Sequence, residues 1–388
     1  MNSTPSLPNL LFVHHNYPAQ FNYLIDILIP SFNITFISDA LSKPVNENIS
    51  HIRVPLDLIK SSNSFTQQLS RAEAYRLTFK ELSESGYNPQ YIISHSGWGS
   101  GLHLRNYFIR SKIICYSEWW FSTDCPEYSF KLPGNTYRYS TDSIANLRMR
   151  NCTFSQELLD CDLIVCPTTW QANQLPSSLF SKVIIIGDPI PTDYYIPNLS
   201  LKNPHFTTVT YASRGLEDVR CFSQFLLLLR NLPALPTTRF IIAGQDRAFY
   251  GSNSSSEFEL ASLKIPEINL SYVGFLKPKS YLRLLQKTDV FLYLTRPFVL
   301  SWGLLNAMSC GAKIITNKVE TSSEYVSHNP ENLIFNFDNF DDVIGLIVSY
   351  LENKDIRDTS LGNRQLIVER NSFNTVKAKW LEALGALG

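Results

Sequence analysis

A histidine at the end of a predicted strand is followed by a glycine-rich turn. The run Tyr91–Ser94 leads into His95 and then into Ser96–Gly101, which holds three glycines around a tryptophan. Glycine permits a tight turn and close approach of the backbone to a ligand, and an imidazole can exchange hydrogen bonds or a proton with it. A single histidine is more often structural, but this placement favours a functional role for His95, with Gly97 beside it.

The loop after the first predicted strand, Leu10–His14, carries a second set of candidates. It reads His15–Phe21 and then enters an amphipathic stretch. Backbone amides near Ala19 and Gln20 can reach a phosphate at the start of a helix. The loop lacks the usual glycines, however, and a plain strand-to-helix connection explains it equally well.

The predicted strand Ile113–Tyr116 ends next to a carboxylate and three aromatic residues. Glu118 immediately precedes the aromatic run Trp119–Phe121. A sugar presents C–H faces to aromatic rings and hydroxyls to a carboxylate, so the cluster suits a polyhydroxylated ligand. Packing between two domains explains the same residues equally well.

In the second half of the chain, two arginines flank a predicted strand-to-helix turn. Arg214 and Arg220 follow the run Thr207–Tyr211. A diphosphate carries negative charge on both phosphates, and each charge-assisted hydrogen bond contributes about 1.5–3 kcal/mol. Because the pair follows a predicted inner strand, phosphate binding explains it better than a solvated surface loop does.

The start of the predicted helix Trp302–Met308 is a second candidate for anion binding. Ser301 can cap this helix and Gly311 ends the segment, as serine and glycine commonly do at these positions. The N-terminus is the positive end of the helix dipole, and Asn306 lies one turn further along. The predicted ligand contacts are Ser301, Trp302, Gly303 and Asn306.

Two acidic motifs resemble metal sites but are explained without a metal. Asp160–Asp162 has the spacing of a metal-binding DxD motif, but it precedes the strand Leu163–Cys166 and should end a helix. Asp338–Asp342 should begin a helix, where acidic residues favour the dipole. We therefore expect no bound metal.

Short apolar runs alternate with amphipathic stretches along the chain, which predicts parallel sheets covered by helices on both faces. The Pro-rich connector Gly187–Thr192 interrupts this pattern,. We therefore predict an α/β protein of two Rossmann-like domains whose sheets face a central cleft. The predicted bounds are 1–188 for the N-terminal domain, 189–370 for the C-terminal domain and 371–388 for a helix that crosses back to the N-terminal domain.

The individual elements follow from the same periodicity. The predicted strands are 10–14, 34–37, 91–94, 112–116, 163–166, 183–186, 207–211, 239–243, 271–273, 290–294 and 313–316. The predicted helices are 20–28, 65–83, 101–108, 143–159, 219–229, 279–286, 302–308, 341–351 and 374–384.

Composition excludes several classes of protein. Hydrophobic residues make up 44% of the 388 residues and charged residues 18%, so the chain can bury two cores and is not disordered,. The 34 basic residues balance the 34 acidic ones, which gives no general attraction to nucleic acid. No apolar run approaches the roughly 20 residues that span a bilayer. The seven cysteines lack metal-binding spacing, which is typical of reduced thiols in a soluble cytoplasmic protein.

Five of these segments resemble motifs of the retaining glycosyltransferases of family GT4, and of one bacterial branch in particular. That branch typically shows H-x-NFPGQF, HxGWGE and PTxWQ in its first domain, and YxARNLEPYRGF-like and YPFVLSWSLLEAMACG motifs in its second. The likeness extends from about residue 10 to residue 350, and the last motif is the most specific. The counterparts are His15–Phe21, His95–Ser100, Pro167–Gln171, Tyr211–Phe222 and Arg296–Gly311.

The resemblance implies a GT-B fold and a role for each matching residue. Arg214 and Arg220 correspond to the basic pair that grips the donor diphosphate and stabilises it as the leaving group,. His95 matches the histidine placed near the transferred sugar, and Asn306 takes the place of the glutamate that usually binds the nucleotide ribose. The implied co-substrate is a nucleotide-diphosphate sugar, UDP- or GDP-linked, and no further cofactor is expected.

The sequence departs from the family at several positions of the donor site. Asn306 and Ser100 replace glutamates, and Ala19 and Cys221 replace glycines. Phe298 stands where most GT4 enzymes carry the first glutamate of an E-x7-E motif, although this branch commonly has phenylalanine there. Asparagine can still bind a ribose, but an uncharged acceptor makes a weaker hydrogen bond than a carboxylate.

We therefore expect a metal-independent, retaining transferase that moves a sugar to an unidentified acceptor, which is a glycan, a lipid-linked molecule or a small molecule. The departures leave an alternative: a catalytically weak or inactive GT-B protein that serves as a binding or partner subunit. Acceptor specificity is expected in first-domain loops, here Phe121–Tyr139. No nucleic-acid partner and no transmembrane segment are expected, and an oligomer is compatible with the sequence.

Overall fold

The computed structural model describes residues 7–41, 47–55, 64–122, 130, 132–133, 141–249 and 269–388. Contacts divide the described residues into two compact units. Unit 1 takes those of Met1–Cys125, Tyr139–Pro189 and Phe373–Gly388, and unit 2 takes those of Pro126–Arg138 and Ile190–Ser372.

The described residues contain two sets of parallel strands and the helices that cover them. The strands are β1 Asn9–Val13, β2 Asn33–Ser38, β3 Ser50–Arg53, β4 Tyr91–His95, β5 Lys112–Tyr116, β6 Leu163–Cys166, β7 Val183–Ile185, β8 Thr207–Gly215, β9 Thr238–Gln245, β10 Asn269–Tyr272, β11 Val290–Tyr293, β12 Lys313–Asn317 and β13 Leu333–Phe335. The helices are α1 Asn22–Leu28, α2 Ser64–Glu84, α3 Leu104–Tyr107, α4 Thr141–Asp160, α5 Thr169–Asn173, α6 Phe222–Asn231, α7 Pro278–Lys287, α8 Trp302–Ser309, α9 Glu320–Val326, α10 Phe340–Leu351, α11 Leu361–Asn371 and α12 Phe373–Leu387.

Unit 1 is built on a seven-stranded sheet in the order β3-β2-β1-β4-β5-β6-β7, with every pairing parallel. Helices cover both faces, and the residues Leu10–Val13 of β1 are fully buried for that reason,. Helix α12 belongs to this unit. Its Val376, Trp380 and Leu384 share a core with Ile25 and Leu28 of α1.

Unit 2 is built on a six-stranded parallel sheet in the order β10-β9-β8-β11-β12-β13. Its largest core joins Val209 of β8, Phe225 of α6 and Phe240 of β9. Leu132 is buried in this core as well, and the Gln224 side chain donates to the Pro133 carbonyl over 3.0 Å.

Both strand orders reverse once, between β1 and β4 in unit 1 and between β8 and β11 in unit 2. At such a switch point the loops leave in opposite directions and open a crevice at the carboxyl ends of the strands. The loops after these four strands hold most of the predicted site residues.

The prediction of parallel α/β sheets is confirmed, and most predicted elements differ from the observed ones only at their ends. The predicted helix 101–108 is wrong in extent, because only Leu104–Tyr107 is helical. Helix α11 was not predicted because it buries amides instead of an apolar stripe. Its Asn363 accepts from Asn329 and Asn332 and donates to the Ala312 carbonyl.

The described residues include six of the seven cysteines. The six described cysteines are free thiols, and all of them except Cys152 are buried. None of the helices in the described ranges is long and apolar enough to cross a membrane.

Candidate active site

Three loops of unit 1 meet at one carboxylate. The Gln20 side chain donates to Glu118 Oε2 over 3.0 Å, and His95 Nε2 lies 3.3 Å from the same oxygen. The His95 side chain is buried, whereas that of Glu118 is 18% exposed. Because β1, β4 and β5 end at the same edge of the sheet, residues up to 98 positions apart come together here.

Two hydrogen bonds orient the His95 ring. The indole Nε1 of Trp98 lies 3.2 Å from His95 Nδ1, and an indole nitrogen can only donate. Nδ1 is therefore the acceptor, so the ring proton sits on Nε2 and points at Glu118. The Ser96 carbonyl also lies 3.2 Å from Nδ1.

A buried carboxylate that sequence reasoning missed holds the glycine-rich turn. The Gly97 amide donates to Glu157 Oε2 on α4 over 3.0 Å. Burial raises the pKa of Glu157 to about 8, although hydrogen bonds from the Gly97, Gly101 and Gly99 amides oppose the shift. The Gly97 amide is thus engaged inside the protein and is not directed at a ligand.

The other two glycines of the turn are required by packing. Gly99 has a φ of +82°, and a Cβ there would lie 2.3 Å from the Gln68 carbonyl oxygen. A Cβ on Gly101 would lie 2.6 Å from Ser94 Oγ. Since real Cβ atoms do not approach so closely, only glycine allows the turn to pack on α2 and β4.

A buried ion pair beneath the turn joins it to the loop after β1. Arg71 donates from Nε to Asp39 Oδ2 and from Nη1 to the Trp98 carbonyl, each over 3.3 Å. The Tyr75 hydroxyl lies 3.0 Å from Asp39 Oδ1 and 3.1 Å from the His14 carbonyl. The positive charge of Arg71 is therefore neutralised inside unit 1.

Two further histidines lie against His95 and Trp98. The ring centroids of His14 and His95 are 4.5 Å apart, and those of His15 and Trp98 are 4.1 Å apart. Burial lowers the pKa of His15 to about 2, assisted by the charges of Arg71 and His95. Burial likewise holds the pKa of His14 well below its ordinary value. Both rings are therefore neutral at physiological pH.

The segment Pro167–Gln171 holds the backbone of the loop that carries Glu118. Thr168 caps α5 by accepting from the Gln171 amide over 3.1 Å. The Gln171 side chain then donates to the Glu118 carbonyl over 2.6 Å. This gives the PTxWQ-like motif a local role in fixing the loop after β5.

The aromatic run after Glu118 packs locally. The Trp119 ring lies 5.6 Å from that of Trp170, and the Trp120 ring lies 5.3 Å from that of Phe154, both within unit 1. Glu118, in contrast, faces His95 and Gln20. Much of the Phe121–Tyr139 stretch lies outside the described residues.

In unit 2, Arg220 points into the protein. Its Nη1 donates to the Tyr293 hydroxyl over 2.7 Å and to Thr295 Oγ1 over 3.1 Å. The Val299 carbonyl lies 3.4 Å from Nη2. Arg220 is 8% exposed. Its hydrogen bonds connect the loop after β8 with the segment between β11 and α8.

Arg296 is a second buried arginine in this region and was assigned no role from the sequence. It is 8% exposed, and its Nε has no hydrogen-bond partner. Burial raises the pKa of the Cys221 thiol to about 12, opposed by the nearby charges of Arg296 and Arg220. Among the described residues, neither arginine forms an ion pair with a carboxylate. Buried charges are normally paired, so each of these two guanidinium groups lacks the partner that is usual for a buried arginine.

Arg214 differs from Arg220 in its surroundings. It is exposed, and its guanidinium carbon lies 3.8 Å from the centroid of the Phe249 ring. Arg247, another cation with no predicted role, lies 4.6 Å from the same centroid. Arg247 follows the end of β9 closely in the sequence, and this position at a strand end could have marked it as a candidate site residue.

The predicted start of α8 is confirmed, with Ser301 as its N-cap. Ser301 Oγ accepts from the Gly303 amide over 3.2 Å, and Trp302 is the first helical residue. Asn306 is buried, and its side-chain oxygen Oδ1 has no partner among the described residues. An acceptor is therefore left open one turn into the helix.

The two acidic motifs lie at helix ends, as predicted: the first ends a helix and the second begins one. Helix α4 ends at Asp160. Asp162 Oδ2 accepts from Arg105 over 2.6 Å and from the Ile113 amide over 2.8 Å. Helix α10 begins at Phe340 with Asp341 and Asp342 in its first turn.

Sequence comparison places both halves of the chain among glycosyltransferases. The model for the glycosyl transferase family 4 group matches residues 53–195, and the model for glycosyl transferases group 1 matches residues 202–364. The chain is therefore a GT4-like glycosyltransferase. A search of curated proteins finds no match.

Solved structures share its fold. Sucrose-phosphate synthase from Thermosynechococcus elongatus has a TM-score of 0.77 at 12% identity, over 98% of this chain and 99% of that chain. Anabaena HepE in complex with UDP-glucose gives 0.68 at 15% identity, over 97% and 99%. A glycosyltransferase from Rickettsia africae gives 0.66 at 12% identity, over 98% of both chains. With the two parallel sheets, these likenesses confirm the predicted α/β GT-B fold.

Proposed function

We propose that this glycosyltransferase moves a sugar from a UDP- or GDP-linked donor to an acceptor, with retention of configuration and without a metal ion. The observation that carries the proposal is the pair of buried guanidinium groups, Arg220 and Arg296, which have no carboxylate partner among the described residues. A diphosphate supplies the missing negative charge. Two structures of Anabaena HepE, one with UDP-glucose and one with UDP and glucose, support such a donor.

The residues of unit 2 fit the task of stabilising a departing nucleotide. Negative charge grows on the diphosphate as the sugar leaves, and positioned cations stabilise it in place of a metal ion. In the proposal, Arg220, Arg296 and Arg214 supply these cations, and the positive end of α8 adds to them. The open Oδ1 of Asn306 accepts from a ribose hydroxyl.

The residues of unit 1 fit the task of holding a sugar. Glu118 and Gln20 offer a carboxylate and an amide to hydroxyl groups, and His95 Nε2 lies 3.3 Å from the same Glu118 oxygen that Gln20 contacts. In the retaining reaction the acceptor approaches from the face that the nucleotide leaves. His95 then stabilises the transferred sugar while the phosphate takes the acceptor proton.

The alternative, an inactive binding subunit, rests on the replaced site positions. The backbone at two of them favours an enzyme. Ala19 and Cys221 replace glycines, yet their φ angles of +48° and +50° keep the left-handed conformation that glycine adopts freely,. The two loops therefore retain the left-handed backbone conformation although neither residue is glycine, which supports an unchanged loop shape at the site.

A donor panel tests the proposal. Thermal unfolding is measured with UDP, GDP and their sugar conjugates, and slow donor hydrolysis is followed by NMR with and without EDTA. We expect one nucleotide series to stabilise the protein, and the first sugar released to keep the anomeric configuration of the donor. EDTA should leave the rate unchanged. If no donor stabilises the protein or is hydrolysed, the inactive alternative is correct.

Matched arginine variants locate the diphosphate. Arg214→Ala should remove most of the nucleotide-dependent stabilisation, because it deletes an exposed cation that lacks an ion-pair partner among the described residues. Arg230→Ala, an exposed arginine at the end of α6, is the control and should behave like the wild type. Equal binding by both variants would exclude Arg214 from the site.

A further inference from the structure

We propose that two buried side chains, Glu157 of α4 and Gln68 of α2, are positioning residues for His95. They hold the two backbone polar groups of Gly97, and the turn that they hold aims the indole of Trp98 at His95 Nδ1. The inference rests on the proposed function, because it states how the proton of His95 is placed for that reaction.

Gly97 is held through both its amide and its carbonyl. The amide donates to Glu157 Oε2 over 3.0 Å, and the carbonyl accepts from Gln68 Nε2 over 3.0 Å. Thr153 of α4 donates from Oγ1 to Gln68 Oε1 over 3.0 Å, which orients the Gln68 amide. These three side chains, Glu157, Gln68 and Thr153, form the Gly97 clamp, so two helices specify where the turn lies.

Holding a turn in this way is energetically expensive. All three side chains of the Gly97 clamp are buried. Burying a polar group costs free energy that its hydrogen bonds only offset, whereas apolar side chains pack against a turn without that cost. A buried network does fix one geometry, because each hydrogen bond restricts a distance and a direction. The clamp therefore favours a turn whose exact position is needed for function.

The residue that the turn aims is Trp98, and two partners compete for the ring nitrogen that it reaches. The indole Nε1 donates to His95 Nδ1 over 3.2 Å, and the Ser96 carbonyl lies 3.2 Å from the same nitrogen. The carbonyl can bond to Nδ1 only if Nδ1 carries a proton, and the indole can bond only if it does not. The indole therefore selects the ring that has its proton on Nε2 alone, facing Glu118.

This selection keeps the imidazole neutral in the proposed reaction. The transferred sugar develops positive charge as its leaving group departs, and a neutral ring beside it does not repel that charge. If the indole is displaced, Nδ1 is open to a proton that the Ser96 carbonyl accepts. We therefore expect loss of the Gly97 clamp to slow the transfer step and to leave donor binding, which the proposed function assigns to unit 2, nearly unchanged.

Nitrogen-15 NMR of histidine-labelled protein at neutral pH tests where the proton of His95 lies, and His95→Gln identifies the signals. In the wild type we expect Nε2 to be protonated and Nδ1 to be unprotonated. Nδ1 should gain a proton in Trp98→Phe, which keeps a ring but has no donor, and in Glu157→Leu, which leaves the Gly97 amide without an acceptor. Glu157→Gln should keep the wild-type pattern, because glutamine has a similar size and retains an acceptor.

Hydrolysis of UDP-glucose and GDP-glucose gives the kinetic counterpart. Glu157→Leu and Trp98→Phe should each lower kcat by about ten- to a hundredfold, the size expected for a misplaced group, with KM within about threefold of the wild type. The double variant should be no slower than the slower single variant, because both changes remove the same hydrogen bond. Glu81→Leu, which replaces an exposed glutamate of α2, is the matched control and should behave like the wild type.

The two measurements separate this inference from the proposed function. If the wild type hydrolyses no donor, the proposed function fails, and the NMR signals alone decide whether the Gly97 clamp sets the His95 proton. If Glu157→Leu loses only stability in urea and keeps the wild-type ring signals, the clamp is structural and the inference is overturned. Rate losses that multiply in the double variant would overturn it as well, because Glu157 would then act independently of Trp98.

Discussion

The two units carry buried arginines in opposite electrostatic states. In unit 1, Arg71 lies 3.3 Å from Asp39, and both side chains are buried. In unit 2, Arg220 and Arg296 are equally buried but have no ion pair with a carboxylate among the described residues. Both regions lie at a switch point of a parallel sheet, so the same topology holds a paired buried arginine in one unit and arginines without an ion pair in the other.

This difference concerns whether the buried arginines of each unit already have a carboxylate partner inside the protein. In unit 1 the buried Arg71 has its carboxylate partner, Asp39. In unit 2 the buried Arg220 and Arg296 have no ion pair with a carboxylate among the described residues, so an anionic ligand is a suitable partner for them,. The proposed diphosphate donor would supply such an anion to unit 2.

Removing the paired arginine should have the largest effect on stability. Arg71→Met leaves the Asp39 carboxylate buried without its cation and should lower the free energy of unfolding by about 3–5 kcal/mol. Urea unfolding measures the change. The double variant Arg71→Met with Asp39→Asn is the control and should recover part of the loss. Full stability of the single variant would contradict the assigned ion pair.

Removing the unpaired arginine should instead affect ligand binding. Arg220→Met deletes bonds to the Tyr293 hydroxyl and Thr295 Oγ1 but strands no carboxylate, so we expect a loss of less than about 2 kcal/mol. Nucleotide-dependent stabilisation should disappear. Calorimetry with UDP and GDP, next to urea unfolding, checks both effects. If Arg220→Met lost as much stability as Arg71→Met, the claim that the two arginines differ in their internal pairing would be contradicted.

Glu157 makes the stability of unit 1 sensitive to alkaline pH. Its pKa is about 8 in the fold against an ordinary 4.5, so the folded state binds an extra proton between these values. Its contribution to stability is therefore complete below pH 4.5 and is lost as the pH rises through 8. Relative to Glu157→Gln, the wild type should lose about 1–3 kcal/mol between pH 5 and pH 8.5. Urea unfolding of both proteins measures the difference. An equal difference in the free energy of unfolding between the wild type and Glu157→Gln at the two pH values would refute this prediction.

Asn306→Glu should strengthen nucleotide binding by about tenfold. A carboxylate makes a stronger hydrogen bond to a ribose hydroxyl than the amide Oδ1 that is open in this structure,. Asn306→Leu, which cannot accept a hydrogen bond, is the matched control and should weaken binding. Equal or weaker binding by the glutamate variant would show that the position does not face ribose.

The smallest expected effect concerns backbone conformation. Ala19 has a φ of +48°, so Ala19→Gly should stabilise the protein by about 0.5–1 kcal/mol. Ala74→Gly, at a buried position in the interior of α2, is the control and should destabilise it by at least as much, because a packed methyl group is lost as well. Thermal unfolding of the two variants should therefore shift in opposite directions.

Sequence periodicity predicted the strands well because both sheets are parallel and buried, so each inner strand is a short apolar run. Short or polar elements were missed. Strand β3, with the sequence SHIR, is an edge strand, and α11 is held by the buried amide of Asn363. The Ser301 cap was predicted because capping depends on residues next to each other in the chain.

The sequence by itself determined that two parallel sheets form and which loops leave their carboxyl ends, because apolar runs and caps are local properties. Only the tertiary structure decided which charges meet. Glu157 reaches the Gly97 amide across 60 positions, and Gln20 reaches Glu118 across 98. Arg71 finds a carboxylate, whereas Arg220 finds only neutral partners. Pairing of this kind depends on how helices and loops pack, which no local pattern in the sequence encodes.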